Sequence, residues 1–318
     1  MSILVTGATG FLGRSLALHL ESNNYLVRKA IRPNHSAMFR HLDQSNYAVV
    51  SNIDGNTNWT AALSGVDCVI HCAARAHLMD DITTNPYASY RIVNVDGTRS
   101  LAEQAAANGI RRFVYISSIK VNGESTNESF RFSHHDRASP EDAYGTSKWE
   151  AEQILQEISA KTGMEIVIIR PALIYGPGVK GNLGRLLDFV QRGYPMPFGA
   201  IKNQRSLIGL DNLVDLLQNC IAHPRAAGQT LLASDGEDLS TPELLRRIAK
   251  AMGRSIHLIP IPVIILKLAA KTVSKQAEIN RLIGSLQVDM SHTQEILDWK
   301  CPTSLNSGIQ KMVDWQKR

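Results

Sequence analysis

The sequence predicts an α/β fold, in which a doubly wound parallel sheet is followed by a smaller C-terminal lobe. The first observation is a short apolar run at residues 3–5, followed by a glycine turn and a helical run at residues 14–20. The second is the run VDCVIHCAA at residues 66–74, which is typical of a parallel strand buried on both faces. We place the larger domain at residues 1–172, with one strand and one helix returned from the later chain, and the smaller lobe at residues 173–318.

The composition is that of a globular protein. Of its 318 residues, 44% are apolar and 20% are charged. The net charge is +5, and the basic residues are scattered, so the sequence does not predict a nucleic-acid partner. The four cysteines form no C-x-x-C pair, so we expect buried thiols, no metal site and a reducing compartment. Because the first strand begins almost at once, without a signal peptide, we expect a cytoplasmic protein.

The most apolar later stretch, residues 256–270, is shorter than the roughly 20 residues that a membrane span needs. Pro260, Pro262 and Lys267 also interrupt it. We therefore predict no membrane span and interpret the stretch as a core helix or a surface groove, with a peripheral membrane contact as the alternative.

The other elements follow from apolar runs and their boundaries. In the first part of the chain we predict strands at residues 25–31, 47–50, 112–116 and 166–169, and helices at residues 60–63, 87–108 and 144–158. The polar loop at residues 124–142 is long enough to act as a substrate lid. In the later chain we predict helices at residues 183–192, 211–222, 241–252 and 303–317, and lobe strands at residues 206–208 and 230–233.

The glycine turn predicts a dinucleotide site, because Gly7, Gly10 and Gly13 separate a strand from a helix. In such a turn, Gly7 permits the tight bend, Gly10 lets a pyrophosphate approach the backbone, and Gly13 lets the helix pack closely. The helix N-terminus then offers backbone N–H groups and the positive end of its dipole to the pyrophosphate.

The second predicted strand bears on the choice between NAD and NADP. An acidic residue about twenty positions after the glycines would hold the ribose 2′-hydroxyl of NAD. The sequence instead has Arg28, Lys29 and Arg32 there, and cationic groups can accept a 2′-phosphate. We therefore favour NADP over NAD. After the third strand, Asn52 and Ile53 are placed to meet an adenine.

Asn94 lies inside the predicted helix at residues 87–108. A buried asparagine needs hydrogen-bond partners. It therefore serves either as a structural tie between helix and strand or as support for catalysis.

Tyr144 and Lys148 are the candidate catalytic pair, because residues four positions apart share one face of a helix. A phenol has an ordinary pKa of about 10, and a neighbouring ammonium lowers it. We expect Lys148 to lower the pKa of Tyr144 in this way, which would make the phenol a usable acid and base. Ser118 follows the preceding strand, where it could hydrogen-bond a substrate oxygen.

With these motifs, the sequence resembles the extended short-chain dehydrogenases/reductases, within the nucleoside-diphosphate-sugar epimerase/dehydratase/reductase family. The similarity covers nearly the whole chain and rests on TGATGFLG, VIHCAA, NVDGT, SSIKVNG, YGTSK, RPALIYGPG and the late VDW. It implies a Rossmann domain that binds NAD or NADP, and a small lobe that takes a UDP-sugar. It also implies a homodimer formed through the helices at residues 87–108 and 144–158.

The resemblance assigns roles residue by residue. The implied catalytic residues are Ser118, Tyr144 and Lys148. Pro171 and Leu173 would flank the nicotinamide. The other implied or predicted cofactor contacts are Gly7, Thr9, Gly10, Phe11, Leu12, Gly13, Arg32, Asn52, Ile53, Ala73, Ala74, Arg75, Asn94, Ser117, Tyr144 and Lys148. For the substrate, the candidates are Asn182 at the diphosphate, Arg205 at the nucleotide, Arg281 at a phosphate, and also His77 and Lys120.

Two departures from the family pattern bear on the pocket. Asn122 stands where many members have a tyrosine, and Asn52 stands where an aspartate commonly meets the adenine. The stretch after Ser118 also lacks the Asp-Glu pair of dehydratases, so we exclude 4,6-dehydration.

Three interpretations of the activity remain open at this point. The first is a C4 reductase of UDP-4-keto-6-deoxy-N-acetylhexosamines for surface polysaccharide. The second is a UDP-sugar 4-epimerase with tightly bound NAD. The third, from another class, is a non-catalytic NADP-binding sensor or scaffold.

Overall fold

A seven-stranded parallel sheet forms the centre of the computed structural model, which describes residues 1–33, 46–76, 86–127, 130–272 and 276–317. The strands are β1 Ser2–Thr6, β2 Leu26–Ile31, β3 Tyr47–Val49, β4 Cys68–His71, β5 Arg112–Ile116, β6 Glu165–Pro171, β7 Leu173–Tyr175, β8 Arg205–Gly209, β9 Thr230–Ala233 and β10 Asp238–Leu239. The large sheet has the order β3-β2-β1-β4-β5-β6-β9, and a small sheet has the order β10-β8-β7. The predicted fold class is thus confirmed.

The helices cover both faces of the large sheet. They are α1 Phe11–Ser22, α2 Thr60–Leu63, α3 Pro86–Arg91, α4 Gly97–Ala107, α5 Ala143–Thr162, α6 Gly181–Arg192, α7 Leu210–Ala222, α8 Thr241–Ala251, α9 Val263–Thr272, α10 Gln276–Ile283, α11 Ser291–Leu297 and α12 Leu305–Gln316. One buried cluster joins α1 and α7 to the sheet, and another joins α2, α4 and α5 to its opposite face. A third cluster lies in the later chain, between α6, α8 and α12.

The strand order reverses between β1 and β4, since β2 lies on one side of β1 and β4 on the other. Ligands bind in the crevice at the carboxyl ends of strands at such a switch point. The glycine turn follows β1 and the loop at residues 72–76 follows β4, so the topology brings both to that crevice.

The structure corrects the prediction for residues 230–233. We predicted that one later strand returns to the larger domain but assigned these residues to the smaller lobe. β9 is that returning strand, because it pairs in parallel with β6 at the edge of the large sheet. Leu231, Leu232 and Ala233 are all buried, as expected for a strand covered on both faces. The division of the chain at residue 172 remains a prediction.

Two predicted elements are shorter or less regular than expected. The apolar run at residues 66–74 forms a strand only at Cys68–His71, because the following residues turn toward the glycine turn. The helix predicted at residues 87–108 contains a π-helical segment, Ile92–Asp96. We did not predict β7, β10, α3 as a separate helix, α10 or α11, and for the region of α9 we predicted a core helix or a surface groove.

The loop at residues 124–142 is tied down where the structure describes it, which argues against a substrate lid. Thr126 and Phe132 form backbone bridges with Ser285 and Val288. Phe132 is also buried against the first cluster.

The apolar stretch at residues 256–270 leads into α9, which lies at the surface rather than in the core. Leu266 and Ala270 are buried, whereas Ile264 and Leu268 are exposed. Within the described ranges, the model contains no helix with the length and apolarity needed to cross a membrane.

Candidate active site

The glycine turn has the geometry that the sequence predicted. Gly7 has a φ of +66°, and a Cβ built there would lie 2.8 Å from the Ala73 nitrogen. A Cβ at Gly13 would lie 2.3 Å from the Gly7 carbonyl oxygen. The Gly10 N–H donates to that same oxygen at 2.8 Å. Side chains at Gly7 and Gly13 would therefore force the turn, the helix and the β4 loop apart.

The N-terminus of α1 is chemically suited to a pyrophosphate. Gly10 caps the helix in extended conformation, and among the described residues no side chain caps the first turn. The first turn has no acidic residue, and Thr9 and Gly10 are exposed. Because these N–H groups and the helix dipole favour a negative group, the turn fits a dinucleotide. Phe11 and Leu12 instead turn toward the core.

The loop after β4 is held against the glycine turn by two buried side chains. The Thr6 hydroxyl contacts His71 Nδ1 at 2.7 Å and accepts from the Ala73 N–H at 3.1 Å. The Asn94 amide donates to the Arg75 carbonyl at 3.0 Å and accepts from the Arg75 N–H at 2.8 Å. These bonds fix the backbone of residues 73–75 beside the glycine turn.

Asn94 also connects this loop to α5, the helix that carries Tyr144 and Lys148. Its Nδ2 donates to the Ser147 hydroxyl at 3.0 Å, and Asn94 itself is buried in the π-helical segment. The amide is thus engaged with protein groups on both sides. These bonds make Asn94 a structural tie, although it joins its helix to the loop after β4 and to α5 rather than to a strand, and a role in supporting catalysis stays a prediction.

Ser118, Tyr144 and Lys148 meet at the carboxyl end of β5. Ser118 begins a short 3-10 helix, and its side chain hydrogen-bonds that of Tyr144. Tyr144 is half-buried in the first turn of α5, with its ring edge-on to Tyr90. Lys148 is buried, donates to the Ile116 carbonyl at 2.7 Å and lies 4.6 Å from the centre of the Tyr115 ring.

The expected effect of Lys148 on Tyr144 is absent from this structure. Burial raises the pKa of Tyr144, Asp142 and Tyr90 add to the rise, and the hydrogen bond from Ser118 opposes it. Burial lowers the pKa of Lys148 to about 7, while Cys72 and Glu152 act in the opposite direction. The prediction was wrong here because loss of solvation dominates both groups and the Lys148 amine is directed to a backbone carbonyl.

This low pKa predicts how stability depends on pH. Lys148 is neutral in the folded protein above about pH 7 but stays protonated in the unfolded chain up to its ordinary value of 10.5. The unfolded state therefore binds the extra proton, and stability should rise with pH between 7 and 8, by at most about 1.4 kcal/mol per pH unit. The free energy of unfolding measured in denaturant across this window checks the slope.

The Lys148→Met variant serves as the control for that slope. It removes the titrating amine and keeps a side chain of similar length, so the rise between pH 7 and 8 should largely disappear. An equal slope in both proteins would show that other groups cause the rise. Above about pH 8 the four cysteines act in the opposite direction, because burial raises their pKa in the folded protein to about 12, whereas in the unfolded chain they ionise near 9.0.

Ser117, predicted as a cofactor contact, directs its hydroxyl into the protein. It donates to Glu152, which is fully buried on α5. Glu152 also accepts two hydrogen bonds from Arg170, at 3.0 and 2.5 Å. Arg170 in turn donates to Asn122 at 2.9 Å, so the unusual asparagine completes a buried polar network.

The candidate substrate residues fall into two neighbouring groups. Lys120 donates to Glu124 at 2.5 Å and to Asp142 at 2.6 Å, so its amine supports the N-cap of α5. Arg205 donates to the Arg281 carbonyl at 2.9 Å. Burial lowers the pKa of Arg205, Glu124 raises it, and Arg281 lowers it. The structure therefore brings Arg205, Arg281 and Glu124 together.

Other predicted residues occupy the edges of the crevice. Asn52 is exposed after β3, Ile53 packs against Gly97, and Leu173 is an exposed apolar side chain just beyond the buried Pro171. Asn182 lies in the first turn of α6. His77 lies outside the described residues.

Two of the three basic residues in β2 and after it have protein partners. Arg28 donates to the Ala62 carbonyl at 3.2 Å, and Lys29 pairs with Glu21 at 2.5 Å. Arg32 is exposed at the end of the strand. Of the three residues that led us to favour NADP, Arg32 therefore remains as the candidate to accept a 2′-phosphate.

Sequence reasoning missed Thr6, His71, Glu152 and Arg170 as supports of the site. The signal for His71 was a histidine inside an apolar strand, since such a residue needs partners on both ring nitrogens. Its Nε2 lies 3.0 Å from the Thr98 hydroxyl, and burial lowers its pKa to about 3, so the ring is neutral.

Comparison with known proteins now identifies the family. A family model described as "NAD dependent epimerase/dehydratase family" matches residues 3–232. The chain belongs to the NAD dependent epimerase/dehydratase family. This membership confirms the resemblance inferred from the motifs, and it makes the chain an NAD-dependent enzyme of that family.

Two curated members of the family are similar along nearly their whole length. A UDP-glucose 4-epimerase of Vibrio cholerae is 45% identical over 98% of this chain and 94% of that protein. An N-acetyl-α-D-glucosaminyl-diphospho-ditrans,octacis-undecaprenol 4-epimerase of Escherichia coli O157:H7 is 26% identical over 99% of this chain and 95% of that protein.

Solved structures of the family share the fold. A UDP-glucuronic acid 4-epimerase from Bacillus cereus, in complex with NAD, aligns with a TM-score of 0.79 at 22% identity, over 100% of this chain and 99% of that one. A UDP-N-acetylglucosamine 4-epimerase from Bacillus cereus aligns with a TM-score of 0.79 at 21% identity, over the whole of both chains.

Proposed function

We propose that the protein is a 4-epimerase of a UDP-linked hexose or N-acetylhexosamine that uses NAD. The observation that carries this proposal is the 45% identity, over 98% of the chain, to a protein named UDP-glucose 4-epimerase. The engagement of Arg28 and Lys29 by protein groups supports NAD rather than NADP. The sugar lobe would be residues 173–318, and the enzyme would act in the cytoplasm.

The residues of the site can perform the proton transfers that C4 epimerisation needs. Bound NAD would supply a positively charged ring and the acceptor for the C4 hydride. Tyr144 would take the proton from the sugar O4 as the carbonyl forms, and return it when C4 is reduced from the other face. Ser118 would hold the same oxygen, and Arg205 would meet the negatively charged nucleotide part. No net oxidation results, because the proton and the hydride both return to the sugar.

The test begins with the purified protein and no added cofactor. We expect the released cofactor to be NAD on chromatography, and NMR to show interconversion of the glucose and galactose forms of UDP-hexose or UDP-N-acetylhexosamine. Consumption of added NADPH with a UDP-4-keto-sugar, without interconversion, would instead establish the reductase. If no UDP-sugar raises the thermal midpoint or turns over, both assignments fail.

Arg32 tests the remaining case for NADP. If it holds the 2′-phosphate, Arg32→Ala should weaken NADP binding roughly tenfold, because a lost charge-assisted hydrogen bond is worth about that much, and leave NAD binding within about twofold. Fluorescence titration with both reduced cofactors measures the two affinities.

Arg28→Ala is the matched control, since its guanidinium contacts the carbonyls at the end of α2. An Arg32 variant that loses both affinities equally, or neither, would remove the basis for an NADP preference.

We also propose a homodimer formed through α4 and α5, which pack against each other beside the sheet. Sedimentation equilibrium measures this directly. A monomer at micromolar concentration would contradict it.

A further inference from the structure

The outward face of α9 is apolar, which is unusual for a surface helix. Leu266 and Ala270 are its buried side chains, four positions apart on one face. On the opposite face, Ile264, Ile265 and Leu268 are 72%, 52% and 62% exposed. A surface helix normally presents polar residues there, so this face is arranged to meet a second apolar phase.

The charged residues of α9 and of the stretch before it are all basic, and the nearby carboxylate of Glu278 on α10 is paired with Arg185. Residues 253–272 contain Arg254, Lys267 and Lys271 but no aspartate or glutamate. Lys267 and Lys271 are both exposed, and on an α-helix they lie together along one edge of the apolar face. A helix with aliphatic residues on one face and lysines beside them matches the pattern of helices that lie in a lipid–water interface.

The approach to α9 adds further exposed apolar groups. Ile259 is 39% exposed, and its backbone pairs with Met196, two residues after the exposed Tyr194. The apolar surface thus extends from α9 onto this strand-like pairing, in the later part of the chain.

This surface adjoins the candidate substrate residues. α9 packs against α10, which carries Arg281, and the Arg281 carbonyl accepts from Arg205. A membrane or another protein that docks on α9 would therefore lie beside the part of the chain that contains these two arginines.

We propose that α9 docks on the surface of a lipid bilayer that contains anionic headgroups. Ile264, Ile265 and Leu268 would enter the headgroup–acyl boundary, and Lys267 and Lys271 would contact the lipid phosphates. Charge complementarity favours this occupant over a second copy of the chain. Two copies of α9 facing each other would place like charges together, with no acidic residue of residues 253–272 to neutralise them.

The proposal is tested on the full chain by sedimentation with vesicles. We expect binding to vesicles that contain phosphatidylglycerol and at least about fivefold weaker binding to phosphatidylcholine alone. The triple variant Ile264→Gln, Ile265→Gln and Leu268→Gln should lose about tenfold or more of the partitioning, because three aliphatic groups no longer enter the lipid. Lys267→Gln with Lys271→Gln should weaken binding to the anionic vesicles only.

Leu18→Gln is the matched control, because Leu18 is 57% exposed on α1, which lies on the large sheet. It should bind vesicles as the wild type does, and circular dichroism should show all variants folded. The proposal is overturned if the wild-type protein stays in the supernatant when the vesicles sediment, or if the triple variant binds the vesicles equally well. It is also overturned if the triple variant halves the mass at sedimentation equilibrium, since α9 would then join copies of the chain. These readouts require no turnover, so they stand apart from the proposed epimerase activity.

Discussion

Tyr144→Phe is expected to lower kcat about a thousandfold, in whichever direction the sugar is converted. The change removes one hydroxyl and keeps the ring that meets Tyr90 edge-on, so the fold and the first turn of α5 should persist. The change removes the hydrogen bond to Ser118 together with the proton-transfer group. Because the loss acts on the chemical step, KM should change much less than kcat. Steady-state kinetics with the UDP-sugar measures both.

Tyr87→Phe is the control for removal of a phenol close to the site. Tyr87 lies on α3, which packs against α5, and its hydroxyl donates to Glu150 near the surface. Its kcat should stay within about twofold of the wild type, a range that covers small surface effects. If Tyr144→Phe retained more than about a tenth of the wild-type kcat, Tyr144 would not be the general acid and base. A non-catalytic sensor would show unchanged cofactor binding in both variants and no turnover in the wild type.

Local spacing made part of the site predictable from the sequence. The glycine turn spans seven residues after a strand, so its positive φ at Gly7 and its close packing at Gly13 follow from residue type and position. Tyr144 and Lys148 share a helix face for the same reason. These are short-range properties, in which the chain offers few alternative geometries.

Hydrogen bonds and strand pairings between residues far apart in the sequence were not predictable. The Lys148 amine donates to the Ile116 carbonyl, thirty-two positions away, and its burial lowers the pKa of Lys148 to about 7. The placement of β9 in the large sheet likewise depends on which edge is open once β6 has paired. Apolar character alone does not distinguish a lobe strand from a sheet strand.

The buried network around Arg170 illustrates the same limit and leads to a second prediction. Arg170 follows a run of apolar strand residues, so the sequence suggested a position but no partner. The structure places its guanidinium on Glu152, with Ser117 and Asn122 completing the hydrogen bonds. Both members of the pair are almost inaccessible to solvent.

Arg170→Met is expected to cost about 3–5 kcal/mol of the free energy of unfolding, because it leaves the Glu152 carboxylate buried without its cation. The double variant Glu152→Met with Arg170→Met should recover most of that loss, since an apolar pair of similar volume no longer contains an uncompensated charge. Urea unfolding of the wild type and both variants measures these differences.

Arg111→Met supplies the surface comparison. Its side chain is 75% exposed and contacts Glu165 at 3.3 Å, while Glu165 keeps Arg112 as a second partner. That variant should lose less than about 1 kcal/mol. If Arg170→Met cost no more than Arg111→Met, the buried pair would contribute as little as a solvated one. If the double variant were as unstable as the single one, the loss would come from packing around β6 and α5 rather than from the unpaired carboxylate.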